Sequence, residues 1–150
     1  MIKGLFITGT DTGVGKTYVA CGLAAELRRQ GVEVGVMKPA ETGCPMRRGE
    51  LVPRDAVALA RAAGVADSLE LINPYRFREP IAPAAAADRE GKRIVQKRIL
   101  RAFGILSERH EFMIVEGAGG IMVPLTSRTT FLDLAEKLDL PVLIVARPNL

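Results

Sequence analysis

A chain of 150 residues, 48% apolar and 25% charged, is long enough for one folded, soluble domain with a real core. Its net charge of +4 is scattered, apart from Lys92-Arg93 and Lys97-Arg98, and with 5% aromatics and no Trp it offers no base-stacking platform; a small anionic substrate is expected rather than nucleic acid. Cys21 and Cys44 lack metal-type spacing, no charged leader precedes an apolar core, and no apolar run nears ~18–20 residues, so a reducing, cytoplasmic setting without a membrane span is expected.

Gly4-Leu5-Phe6-Ile7-Thr8 is an apolar run stopped by Gly9, the pattern of a buried parallel strand. From Lys16 the period changes: Val19, Leu23, Ala24 and Leu27 recur at helical spacing, and Gly31 supplies the stop. Val32 to Lys38 reads as a second strand closed by Pro39. Residues 39–53, with three prolines and two glycines, read as a loop. Asp55 to Ala63 is a short helix ended by Gly64, and the stretch from Ile72 to Pro83 is irregular. Helical spacing returns over residues 94–109 through Ile94, Ile99, Phe103 and Leu106. Phe112 to Val115 is a third strand, and Glu116-Gly117-Ala118-Gly119-Gly120 after it reads as a strand end and tight loop. Phe131 to Leu138 is helical and Pro141 to Ala146 is a fourth strand. Alternating strands and helices, with strands apolar throughout, predict an α/β fold of the P-loop NTPase type: a mostly parallel sheet with helices on both faces, over residues 1–150 as one domain. In such sheets ligands sit at the carboxyl ends of the strands, where the loop after Thr8, Lys38 and Glu116 all fall.

Gly13-Val14-Gly15-Lys16-Thr17 lies between a strand and a helix. Glycines let successive N–H groups turn inward as an anion cradle, and the new helix adds its dipole and unpaired donors. Lys16 can reach β- and γ-phosphates, and the Thr17 hydroxyl can ligate magnesium. The usual spacing puts a glycine at position 10, which here is Thr10; Gly9 stands one earlier. Glu116 can face the phosphate site and hold a metal or its water, and taken alone reads also as an exposed strand-end carboxylate. Lys38 can stabilise charge on a transferring phosphoryl group, and taken alone reads as readily as a solvated lysine. Lys38 and Lys16 repel unless an anion lies between them, which a triphosphate would supply. Asp55 alone reads as a helix N-cap. His110, between Arg109 and Glu111, and the pair Arg47-Arg48 read as solvated surface groups.

Gly9-Thr10-Asp11-Thr12-Gly13-Val14-Gly15-Lys16-Thr17, offset glycine included, resembles the phosphate loop of the dethiobiotin synthetase family. Lys38-Pro39-Ala40-Glu41-Thr42-Gly43, Arg54-Asp55-Ala56, Asn73-Pro74-Tyr75 and Val115-Glu116-Gly117-Ala118-Gly119-Gly120 follow in that family's order, so the resemblance covers the whole chain. It implies an ATP- and magnesium-dependent ligase of biotin biosynthesis, cytoplasmic and homodimeric, that closes a ureido ring on 7,8-diaminononanoate with CO2. Carried over by position, Thr12, Gly13, Val14, Gly15, Lys16, Thr17 and Tyr18 would bind the nucleotide, joined by Asp55, Glu116, Gly117, Ala118 and Gly119. Thr17, Asp55 and Glu116 would surround Mg2+. Lys38 would be catalytic, and Lys38 and Thr42 would touch the diamine. Some relatives carry an acid where Gly13 stands, so no acidic contact is expected there. The sequence stops at Arg147-Pro148-Asn149-Leu150, and the resemblance implies a further C-terminal part with the adenine pocket and much of a dimer surface.

Three other readings share the P-loop. Partitioning ATPases carry a signature lysine where Asp11 stands here. Cobyrinic acid diamide synthetase-like domains precede a glutamine-hydrolysing domain, for which no Cys-His pair is available. A nucleotide-binding module without turnover is the third.

Overall fold

The computed structural model describes residues 3–148; Asn149 and Leu150 at the chain end, like Met1 and Ile2, lie outside them. Eight strands and six helices follow in chain order: β1 (Gly4–Gly9), α1 (Lys16–Arg29), β2 (Val34–Met37), β3 (Ala40–Glu41), β4 (Met46–Arg47), β5 (Glu50–Leu51), α2 (Arg54–Ala63), α3 (Leu69–Ile72), β6 (Tyr75–Arg76), α4 (Pro83–Arg89), α5 (Gln96–Ser107), β7 (Phe112–Gly120), α6 (Phe131–Leu138) and β8 (Val142–Val145). The central sheet has the order β2-β7-β1-β8, and all three pairings are parallel. Two small sheets sit beside it, the parallel pair β3-β6 and the antiparallel hairpin β4-β5.

The apolar strands are explained by cover on both faces. Ile7, Val34, Val36 and Ile114 point to one side and pack with Ala20, Ala24, Ala56 and Leu59 of α1 and α2. Phe6, Met37, Met113 and Val115 point to the other and pack with Ile99, Phe103, Phe131 and Leu134 of α5 and α6. β8 is the exception: on this edge strand Val142 and Ile144 are exposed. Among the described residues no helix is long and apolar enough to cross a membrane.

Several expected boundaries move. The segment over residues 39–53 is no plain loop, since it holds β3 and the β4-β5 hairpin; Arg47 and Arg48 lie exposed there, as expected. The irregular stretch from Ile72 to Pro83 contains β6 and touches α3 and α4 at its ends. Gly117 to Gly120 continue β7 rather than leaving it, because Gly9 of β1 still pairs with Gly120. α4 begins with a proline at its first position, where the missing N–H is no loss, and runs on through four alanines.

Candidate nucleotide site

The loop from Gly9 to Thr17 carries its geometry in its glycines. A Cβ on Gly9 would lie 2.6 Å from Val14 Cγ2 and 3.1 Å from Lys16 Cγ. The chain folds back over position 9, so the side chain must be absent there, whereas Thr10 is exposed and tolerates one. That close approach accounts for the offset glycine. Gly15 caps α1 in the left-handed region, φ 104°, and Lys16 opens the helix. Thr12 N–H donates to Asp11 Oδ1 at 2.6 Å, and the buried Lys16 Nζ donates to the Asp11 carbonyl at 2.8 Å. Burial pushes the Lys16 ammonium below its ordinary pKa and neighbouring Lys38 pushes the same way, against Glu116, Asp55 and Asp11.

Facing the loop is a buried ionic centre. Glu116, fully enclosed in β7, accepts through Oε1 from the Thr17 hydroxyl at 2.8 Å and from Lys38 Nζ at 2.7 Å. Lys38 Nζ donates also to the Gly117 carbonyl at 3.0 Å and pairs with Asp55 Oδ2 at 3.1 Å. Burial pushes the Lys38 ammonium down, but Glu116, Asp55, the Glu116 hydrogen bond and Glu41 outweigh it, and its pKa is held above the ordinary value. The Lys38 backbone is clamped from one segment: its N–H donates to the Ile72 carbonyl at 2.7 Å, and Asn73 Nδ2 donates to its carbonyl at 2.7 Å.

Between loop and centre lies a cavity of about 320 Å³. Its walls present Lys16, Lys38, Thr42, Asp55 and Glu116, the loop residues Thr12, Gly13, Gly15, Thr17 and Tyr18, and Ala118, Gly119 and Glu41. The oxygens of Thr17, Asp55 and Glu116 form a hard donor set of the kind magnesium takes, with the remainder of its shell left to water and phosphate. Among the described residues Glu116 Oε2 is buried without a hydrogen-bond partner, an acceptor left over beside the Thr17 hydroxyl. Among the described residues no three His, Cys, Asp or Glu side chains form a closed metal cage.

A family profile described as an AAA domain matches residues 3–150. The chain belongs to this family. Over 99% of its length this AAA-domain chain is 51% identical to "ATP-dependent dethiobiotin synthetase BioD" of Anaeromyxobacter dehalogenans (strain 2CP-C), covering 65% of that protein. It is 46% identical to the protein of the same name from Bacillus licheniformis, covering 99% of this chain and 62% of that one. The chain thus spans about 65% of the length of the first of these relatives. Among solved structures, the signal recognition particle receptor FtsY of Elizabethkingia anophelis superposes with a TM-score of 0.43 at 18% identity, over 97% of this chain and 41% of that one.

In the AAA-domain chain nearly every residue expected at the site meets the cavity; two do not line it. Val14 lays its side chain over Gly9, and Gly117 contributes its carbonyl to Lys38. Tyr18 stands largely exposed at the rim. Lys38 is no solvated lysine, since it is buried and paired. Its repulsion with Lys16 is countered by the protein's own carboxylates, Glu116 and Asp55. Glu116 is not at a strand end but inside β7. Asp55 is not an N-cap: α2 starts at Arg54 with Pro53 as its cap, which leaves the Asp55 side chain free for Lys38. His110 is not a solvated group; its Nε2 lies 2.6 Å from Asp67 Oδ2 and its ring packs beside Gly35.

Three contributors were not singled out from the sequence: Glu41, Asn73 and Arg147. Glu41 and Asn73 are buried polar residues; the available signal was Asn73 standing between the apolar Leu71-Ile72 and Pro74, and nothing local marks Glu41. Arg147 Nη2 donates to the Gly13 carbonyl at 2.8 Å, a contact between residues far apart in sequence, just after the neighbouring strands β8 and β1, that no local pattern announces.

Proposed function

We propose that this chain forms the phosphate, metal and diamine part of a dethiobiotin synthetase, an ATP-dependent ligase that closes a ureido ring on 7,8-diaminononanoate with CO2, releasing ADP and phosphate. The observation that carries the reading is the convergence of Lys16, Thr17, Lys38, Asp55 and Glu116 on one cavity in a chain about half identical to enzymes of that name. In this reading residues 1–150 act as one nucleotide-binding unit. The homodimer rests on the resemblance alone. A cytoplasmic setting agrees with the free thiols of Cys21 and Cys44.

The chemistry proceeds in three steps. One amine of the diamine combines with CO2 as a carbamate. A carbamate oxygen attacks the γ-phosphorus and ADP leaves, giving a carbamic–phosphoric anhydride. The second amine attacks the carbonyl carbon, loses its proton and displaces phosphate. Positioning and charge stabilisation dominate such a sequence. Residues from Thr12 to Tyr18 direct N–H groups and the Lys16 ammonium at the β- and γ-phosphates, with Gly117, Ala118 and Gly119 close to the nucleotide. Thr17, Asp55 and Glu116 would hold Mg2+, which when bound would neutralise phosphate charge. Lys38, kept protonated by its carboxylates, donates to the carbamate as charge moves onto the transferring group. Thr42 lines the diamine end.

The test is steady-state formation of ureido product from 7,8-diaminononanoate, bicarbonate and ATP by the full-length protein. Wild type is expected to turn over. Lys38→Ala is expected to lose ~10²–10³ in rate, and Lys38→Arg to recover little, because a planar fork does not replace a compact ammonium. A wild-type protein that makes no ureido product rejects the reading.

A further inference from the structure

Helix α2 brings Asp55 to the ionic centre, yet it has no local cap. Its N-cap is Pro53, whose side chain has no acceptor, and no side chain caps the helix from that position. The first-turn N–H groups of a helix lack partners inside the helix, and here two of them are satisfied from a distance. Asp55 N–H donates to Glu41 Oε1 at 2.9 Å and Ala56 N–H donates to Glu41 Oε2 at 3.0 Å. Both oxygens of one carboxylate are thus spent on the residue that pairs with Lys38 and on its successor.

Glu41 is itself fixed. It is buried, it lies in β3 against β6, and its carbonyl accepts the Phe77 N–H at 2.8 Å. The arrangement works against plain electrostatics. Burial raises the Glu41 pKa and the neighbouring Asp55 charge adds to the rise, while the two backbone donors and Lys38 oppose them. A serine or asparagine at position 53 would cap α2 without a second acid beside Asp55. What the distant carboxylate adds is a rigid link between the strand carrying Glu41 and the first turn of α2.

We infer that Glu41 is a positioning residue, which holds the Asp55 carboxylate over the Lys38–Glu116 centre by gripping the backbone of Asp55 and Ala56. This deepens the phosphate-and-metal reading above and rests on it. Glu41 touches neither metal nor phosphate in this role; it acts through Asp55.

The experiment is a Mg2+ titration of ADP binding, by calorimetry or a fluorescent ADP analogue, in full-length wild type, Glu41→Ala, Glu41→Gln, Asp55→Ala and the double variant Glu41→Ala/Asp55→Ala. Partners that orient a metal-holding group are commonly worth ~10–100-fold in metal affinity. Glu41→Ala is therefore expected to raise the Mg2+ concentration for half-saturation ~10–100-fold, while ADP binding without metal stays within about 2-fold. Glu41→Gln keeps one acceptor and should fall between. In the Asp55→Ala background the Glu41 change should add nothing, because the two act as one unit. A merely structural Glu41 would instead leave the Mg2+ half-point within about 2-fold, whatever its effect on thermal stability, or add its effect independently of Asp55; either of these overturns the inference. If Glu41→Ala does not fold, the isosteric Glu41→Gln decides on the same criterion. Mg2+-coupled ADP binding without ureido product would reject the ligase reading and leave this inference standing. ADP binding indifferent to Mg2+ in wild type would overturn both.

Discussion

The two walls of the cavity are built in opposite ways. One is a single run of chain, Gly9 to Thr17, whose Asp11, Thr12 and Gly13 are exposed and whose internal hydrogen bonds stay local, as from Lys16 to the Asp11 carbonyl. The other is assembled from Lys38 after β2, Glu41 in β3, Asp55 in α2, Asn73 after α3 and Glu116 in β7, and all but Asp55 are buried. Its bonds are side-chain bonds between distant segments, such as Lys38 to Glu116. A wall that is mostly backbone takes its shape from a few glycines and one helix end. A wall of buried ions takes its shape from the whole fold, so its chemistry and its stability are the same interactions. The loop should therefore be separable from folding, and the ionic wall should not.

The largest effect is expected at Lys38. Removing one partner of a buried pair leaves the other charge uncompensated, a loss of about 3–5 kcal/mol. Glu116 is fully enclosed, so Lys38→Ala should lower the stability of the ligand-free protein by that order in urea unfolding. Lys38→Met with Glu116→Gln removes both charges and should recover most of the loss. A Lys38→Ala midpoint equal to wild type would end the distinction between the walls.

The loop supplies the opposite case. Lys16 makes one hydrogen bond in the ligand-free protein, to a backbone carbonyl near solvent. Lys16 is buried but bonds no carboxylate, and Gln keeps a donor for the Asp11 carbonyl, so Lys16→Gln should cost at most about 1.5 kcal/mol of unfolding stability, the net worth of one hydrogen bond and well below the Lys38 loss. Its loss should show in ATP titrations instead. A hydrogen bond to a charged group is worth about 1.5–3 kcal/mol, roughly 10- to 150-fold in Kd. Unchanged ATP affinity would remove Lys16 from the phosphate site. Gly9→Val addresses the same wall through packing. Its branched side chain would meet Val14 and Lys16 below contact distance, and overpacking of this kind costs typically ~1–3 kcal/mol. Nucleotide affinity should fall with it, because the loop must shift; a variant that binds ATP like wild type would show that the close approach at position 9 is dispensable.

The same contrast explains what could be read in advance. Gly13 to Thr17 is legible because cradle, lysine and hydroxyl are contiguous and the period changes at Lys16. The apolar runs of β1, β2 and β7 are legible because both faces of the parallel sheet are covered there; β8 is legible as an apolar run although Val142 and Ile144 are exposed. Glu41 and Asn73 were not, because what they do is defined by partners elsewhere: an α2 turn for Glu41, the Lys38 carbonyl for Asn73. Gly117 to Gly120 read as a loop by propensity, and the pairing of Gly9 with Gly120 overrides that preference. The short β3, β6 and α3 hold too few residues to show any period.

The smallest expected effect comes from a cluster with the ionic wall's construction but no cavity. Asp67, half-buried after α2, pairs with the exposed Arg109 through Nη1 at 2.9 Å and with His110 Nε2 at 2.6 Å, both just before β7. Burial pushes the Asp67 carboxyl up, but its bonds and charges from His110 and Arg109 prevail and hold it below the usual Asp value of 3.8. A carboxylate with a depressed folded pKa gives stability that is present above the unfolded value and lost as pH falls through the folded one. Asp67→Asn removes the charge without changing the shape, and should cost about 1–2 kcal/mol at neutral pH. Urea midpoints of wild type and variant should differ at neutral pH and converge below pH 4 as the Asp67 carboxylate takes up its proton. Nucleotide binding should not change, since neither Asp67 nor its partners meet the cavity. A gap that persists undiminished at pH 3 would mean that packing rather than charge holds this corner. Buried ions would then stabilise this fold through the Lys38–Glu116 pair and not through Asp67.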